Sequence, residues 1–282
     1  LDLWTPSRKV AAMQKNVPLC AQGTVFRVKH RKCWEKLMEF DFAFFALAIP
    51  AVIFAGVSKA GFGSGAAFAS ASILAVFLEP AQALGIMLPL LMLVDVAALR
   101  PYWKKWNVTD AWRLGLGALP GVALGVWFYQ LANDDVLRLL IGGISLAFVA
   151  YQLAQSWGIL RVKPRTFAAW VGYVSGVAAG FTSFVSHAGG PPVAVYLLAQ
   201  GHSKGTYQAT SVIAFWVINL LKSVPYAFLG IFTYDTLLAD LYLAPFALIG
   251  AALGVWAHRI VPERVFFGLT YIMLTLTGSK LI

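Results

Sequence analysis

Cysteine is almost missing from this chain of 282 residues; Cys20 and Cys33 are the whole supply, and both stand in a polar stretch near the start. With no second pair and no histidine at zinc spacing, neither a disulfide framework nor a metal site is expected. Charge is scarce too. Asp, Glu, Lys and Arg make up 12% of the residues, about half of what a soluble domain carries. Acids are the rarer sign, 12 against 22 basic residues, for a net charge of +10. Such an excess can mark a nucleic-acid binder, but 8 of the 22 lie before residue 38 and most others lie in short loops between apolar runs. That distribution orients a chain in a membrane and does not grip DNA. Catalytic signatures are absent as well: no nucleophile elbow, Walker loop, zinc motif or paired carboxylates. Lys59 does stand beside glycines, yet a Walker lysine comes after its glycines and behind a strand. An enzyme is therefore not expected, nor any cofactor.

What the chain has in quantity is apolar surface: 60% of residues are hydrophobic and the mean hydropathy is +0.74. This is a polytopic membrane protein. A helix needs about 17–25 apolar residues to cross the hydrocarbon, and windows of that kind fall at 40–58, 83–99, 111–131, 136–155, 167–186, 207–230, 237–257 and 265–281. Two further runs, 66–78 and 192–199, are too short to cross unaided, and each follows a glycine-rich break. The sequence Ala-Leu-Gly-Val-Trp occurs at 123–127 and again at 252–256, collinear with the breaks, which points to a duplicated unit. The expected fold is thus all-α, with eight transmembrane helices in two repeats of four, each repeat carrying a glycine-broken short re-entrant helix. The repeats are 38–155 and 167–282, joined by a cytoplasmic linker at 156–166.

Loop charge supports eight crossings. If each short segment re-enters on the side it left, 16 cations fall inside and 4 outside, which places both termini in the cytoplasm of a bacterial-type plasma membrane. An inverted repeat of five segments per half stays open. Residues 1–37 form a basic leader without the apolar core of a signal peptide. It reads either as an arm that binds anionic lipid or as sequence upstream of a natural start at Met38.

The candidate site is built on the two breaks. In the first, Ser58-Lys59-Ala60-Gly61-Phe62-Gly63-Ser64-Gly65, a lysine sits between membrane-grade segments. A cation there costs about 2.5–3.5 kcal/mol on insertion scales and asks for an anionic partner. Glycines admit close backbone approach, and the helix behind them aims unsatisfied N–H groups into the gap. The second break runs from Thr182 and Ser183 through Ser186, His187, Gly189 and Gly190 into Pro191 and Pro192, supplying hydroxyls and a histidine, and it reads as a loop entering a helix at its prolines. Asn219 and Lys222 lie three apart in one span and share a face. The substrate-binding set is therefore Ser58, Lys59, Gly61, Gly63, Ser64, Gly65, Ser186, His187, Gly189, Gly190, Asn219 and Lys222. Plainer readings stand beside it: the lysines snorkel to the interface, the glycines pack helices, and His187 is structural. Asp95, late in its span, is open to two readings, coupling protons or pairing with Arg100, of which pairing is favoured; Trp103, Trp106, Trp112, Trp127, Trp157 and Trp170 are read as interface anchors.

Taken together, the Ser-Lys-Ala-Gly-Phe-Gly-Ser-Gly opening, the His-Ala-Gly-Gly-Pro-Pro break with the following Tyr207-Gln-Ala-Thr-Ser211, and the two-half layout resemble the TauE/SafE family of membrane permeases. The resemblance covers roughly residues 38–282. It implies a secondary carrier for a small anion, sulfite or an organosulfonate, working in the lipid bilayer. An anion channel and a non-transporting scaffold are the alternatives. Coupling to a proton or another ion, the direction of transport and the oligomeric state are not in the sequence.

Overall fold

Polar residues in front of apolar runs decide where the helices begin. Asp41, Asn107, Asn133 and Ser203 each accept a hydrogen bond from a backbone N–H in the first turn behind them, which satisfies one of the donors a helix start leaves free. Pro80, Pro191 and Pro192 sit in first turns, where a missing N–H costs nothing. A computed structural model describes residues 40–62, 66–158, 167–257, 260 and 263–282, the side chains of 263–265 excepted. The leader at 1–37, Gly63, Ser64, Gly65 and most of the 156–166 linker lie outside the described residues.

Ten helices result: α1 Phe42–Gly61, α2 Phe68–Phe77, α3 Pro80–Leu99, α4 Val108–Leu131, α5 Asp134–Ser156, α6 Ala169–Ser186, α7 Gly190–Ala199, α8 Lys204–Phe228, α9 Tyr234–Ala257 and α10 Glu263–Leu281. No strand occurs among the described residues. Each of the eight expected spans is a helix, and each short run is a helix of 10 residues. Six of the helices, α1, α3, α4, α5, α8 and α9, are long and apolar enough to cross a membrane. Leu124, Leu139, Leu241, Ile272 and the indoles of Trp112, Trp127, Trp157 and Trp170 are exposed on the outside, as expected of side chains that meet lipid.

Close packing is made by glycine. A Cβ on Gly56 would stand 2.8 Å from the Ala247 carbonyl oxygen, and one on Gly250 would stand 2.5 Å from that of Ile53, so α1 lies against α9 with almost no side chain between. The same happens between α4 and α6, where a Cβ on Gly180 would stand 2.5 Å from the Ala118 carbonyl oxygen and Gly121 lies against Val177. Small residues allow this approach, and in lipid dispersion contact is a main source of helix association.

These contacts also fix direction. Gly56 and Gly61 meet Ala247 and Gly254 in the same order along both chains, so α1 and α9 run parallel; Gly117, Gly121 and Gly125 meet Tyr173, Val177 and Phe184, so α4 and α6 do too. Lys59 at the finish of α1 meets Asp95 near the finish of α3. Gly85 near the start of α3 lies against Ile231 and Thr236 at the start of α9. Helix α3 is therefore parallel to α1, and α2 between them carries the chain back to the end where α1 began. Its contacts with α5 run antiparallel, Phe68 on Phe148, Ser72 on Ser145 and Ala75 under Arg138. Helix α7 likewise runs against α6, with Gly172 near Tyr196 and Gly189 near Ala179.

Here the geometry departs from the expectation that each short segment returns to the side it left. Ten residues of helix span only about 15 Å, half of the hydrocarbon thickness. The eight-crossing reading took its support from loop charge, half of it in the leader, whereas the helix directions follow from packing contacts between residues far apart in the chain.

Candidate functional site

Lys59 occupies the last turn of α1 and is 2% exposed. Its Nζ donates to Asp95 Oδ2 at 2.7 Å and to the Leu91 carbonyl oxygen at 3.1 Å. Asp95 is the anionic partner a buried cation requires, and Arg100, to which the sequence reading assigned it, is exposed. The same Asp95 oxygen accepts from Asn219 Nδ2 at 2.9 Å. Carbonyls freed at the end of α1 find donors elsewhere: Lys59 O accepts from Gln208 at 2.9 Å, and Ala60 O from the Tyr102 hydroxyl at 3.1 Å.

Lys222 is the second buried cation, with no exposed surface at all. Its Nζ donates to the Ser183 carbonyl oxygen at 3.0 Å and to Ser183 Oγ at 2.9 Å, and it lies 2.9 Å from His187 Nδ1. An ammonium has only donors, so Nδ1 accepts and Nε2–H points at the Leu84 carbonyl oxygen, 3.2 Å away. Among the described residues no carboxylate lies within ion-pair distance of Lys222. Neither lysine snorkels to an interface, so that plainer reading does not hold.

The start of α2 meets the second break. Phe68 and Ala69, at the start of α2, share one packed cluster with Ala188 of the second break, together with Phe148, Val149 and Leu274. Helix α8 runs past this place, presenting Gln208 to the end of α1, Asn219 to Asp95 of α3, and Lys222 to Ser183 and His187. A cavity of about 330 Å³ reaches this place from the end where α1 finishes; Gly61, Phe62, Gln155, Pro191, Lys204 and Gln208 are among its walls.

Other predicted residues sort differently. Ser58 is buried, and its hydroxyl has no hydrogen-bond partner among the described residues. Ser186 spends its hydroxyl on the Thr182 carbonyl one turn back in α6. Gly61 packs on Gly254 of α9 while also lining the cavity. In the second break the left-handed backbone belongs to His187, with φ 57°, whereas Gly189 has φ −71°. Pro191 and Pro192 also remove two N–H groups from the start of α7, which leaves that helix end fewer donors for an anion than the sequence reading assumed. Asp95, Ser183 and Gln208 were missed as site residues. For Asp95 a signal existed: it is an acid inside an apolar span, and Lys59 needed one.

Two lysines and one carboxylate are thus buried among these helices, Lys59 paired with Asp95 and Lys222 held by neutral partners. Apolar helices with a polar, charged centre of this kind define an integral membrane protein of the transporter class. The chain belongs to the TauE/SafE family: the family model described as Sulfite exporter TauE/SafE matches residues 48–281. No curated protein and no solved structure matches the chain.

Proposed function

We propose that this protein is a secondary carrier of a small sulfur-containing anion, sulfite or an organosulfonate, built as an inverted repeat of five segments per half. The observation that carries the proposal is the crossing of α3 and α8. Asp95 and Asn219 stand 124 residues apart and bond to each other there, and each of the two helices holds a lysine system beside a break. A contact between equivalent positions is what a two-fold axis in the membrane plane produces. The exchanged pairing of α1 with α9 and of α6 with α4, at equivalent glycines, supports the same axis. Halves related in this way can swap conformations, which turns a cavity open at one end into a cavity open at the other.

In this reading the anion exchanges its hydration for Lys222 and the remaining N–H groups of the breaks. Lys222 is the better anchor because its present partners are neutral. Lys59, held by Asp95, orients the crossing and sets its net charge.

Sulfite labelled with radioactive sulfur, presented to the purified protein in liposomes, should enter by saturable transport. Flux that rises without saturation would favour a channel, and no flux above protein-free liposomes would favour a scaffold. Topology has its own test in a background lacking Cys20 and Cys33. On ten alternating segments, Lys104→Cys and Lys204→Cys label from one side and Ile282→Cys from the other. On eight crossings, Lys104→Cys and Ile282→Cys label together. Past residue 40, cations gather at the end that carries Arg100, Lys104, Lys105, Arg113 and Lys204, with Arg138 and Lys280 at the opposite end. The positive-inside rule therefore assigns the first end to the cytoplasm unless the leader outweighs it.

A further inference from the structure

Three buried acids lie in the described helices, and two are held. Asp95 has Lys59 and Asn219. Asp110 takes the Tyr196 hydroxyl at 2.6 Å, Arg113 at 3.3 Å and His202 at 2.7 Å. The third, Asp240 of α9, is 8% exposed, and neither of its oxygens has a partner among the described residues.

Its place in the fold is specific. Asp240 lies one helical turn beyond Thr236, whose methyl group stands 3.2 Å from where a Cβ on Gly85 would be. Residues four apart share a helix face, so Asp240 is on the side of α9 turned toward α3. One turn beyond Gly85, α3 carries Pro89, which has no N–H and so leaves the Gly85 carbonyl without its usual helical donor. The carboxyl and this stretch of α3 thus belong to facing sides of the two helices.

The titratable groups on the elements packed against α9 are few. Helix α1 brings Asp41 and Lys59; Asp41 caps the helix start and Lys59 is bound to Asp95. Helix α3 brings Glu79, which caps its own helix, and Asp95. On α9 itself are Tyr234, Asp235 and Tyr242. None of them is hydrogen-bonded or ion-paired to Asp240. A lone ionised carboxylate in such surroundings is costly, and a bound proton removes the charge.

We propose that Asp240 is a proton-binding site that couples anion movement to a proton gradient, one proton being taken up by the carboxylate from one side of the membrane and released to the other in each cycle. This rests on the carrier reading above. The proton is the only species exchanged, so no further reactant is required. The bond it permits, from the carboxyl O–H to the unsupported carbonyl in α3, gives protonation a means of changing how α3 and α9 pack.

The full chain in liposomes tests this in two arms with labelled sulfite. The first is exchange with equal sulfite on both sides and no pH gradient; the second is accumulation driven by a pH gradient of either polarity. Asp240→Asn should keep exchange and bring accumulation down to the level reached without a gradient, while Asp240→Glu should retain coupled accumulation with its pH midpoint moved. Asp240→Asn that accumulates like the parent chain overturns the assignment, and so does loss of both arms in that variant. A readout that does not need transport separates this from the carrier reading. Carbodiimide, which attacks protonated carboxyls in apolar surroundings, should modify Asp240 in the parent protein, less at high pH. If sulfite does not move at all but Asp240 is modified, the substrate reading fails and the proton site stands; absence of modification overturns the site.

Discussion

The two breaks solve one problem in different ways. In the first half the cation comes from the break itself, Lys59, and is met by a carboxylate on the neighbouring long helix, Asp95. In the second half the cation comes from the long helix, Lys222, and is met at the break by a carbonyl, a hydroxyl and an imidazole nitrogen. Lys59 and Ser183 stand at the same separation as Asp95 and Asn219, 124 residues. The first half thus pairs its lysine with a carboxylate, and the second surrounds its lysine with neutral groups. The outer ends differ in the same spirit: near the start of α4 Asp110 has three partners, while near the start of α9 Asp240 has none among the described residues.

The comparison breaks most visibly at Lys59. Lys59→Met leaves Asp95 buried without its cation, and losing one partner of a buried pair costs about 3–5 kcal/mol. Thermal unfolding in detergent should show that loss, and the double change Lys59→Met with Asp95→Leu should regain at least half of it. A Lys59→Met protein as stable as the parent would mean that the pair is not what holds this crossing. Lys222→Met orphans no carboxylate, so it should unfold close to the parent and fail in binding instead. Loss of one charge-assisted contact, about 1.5–3 kcal/mol, weakens sulfite about tenfold to a hundredfold, as equilibrium binding would read. Unchanged affinity in that variant sends the anion elsewhere.

Gly56→Ala and Gly180→Ala sharpen the equivalence of the halves. Each places a methyl group against a carbonyl, of Ala247 and of Ala118, and overpacking of this kind costs about 1–3 kcal/mol. Similar losses at the two sites are expected, and a loss at only one would separate the halves. Ser183→Ala is milder, removing one of Lys222's acceptors for about 1 kcal/mol. The smallest effect belongs to His187→Gln. With one ring nitrogen accepting from Lys222 and the other facing Leu84, the ring has no place for a second proton. The pH profile of sulfite transport should keep its shape in this variant, and a flattened profile would move the coupling proton from Asp240 to His187.

The sequence by itself determined everything that depends on neighbours along the chain. Apolar windows set the long helices, Asp41, Asn107, Asn133 and Ser203 set their starts, and runs too short to cross marked the two breaks. Lys59 and Lys222 were legible as site residues because a cation in an apolar run is costly wherever the run goes. Tertiary structure decided what those cations meet. Lys59 finds its carboxylate 36 residues away, and Asp95 finds Asn219 124 residues away, separations that helical periodicity does not constrain. It also decided the direction of the short helices. A ten-residue apolar helix behind a glycine break is compatible with returning to either side, and only the packing of α2 on α5 and of α7 on α6 selects one. For the same reason Asp240 passed unnoticed in the sequence: its solitude comes from the apolar faces of α1 and α3 that fold against it, not from any residue beside it in the chain.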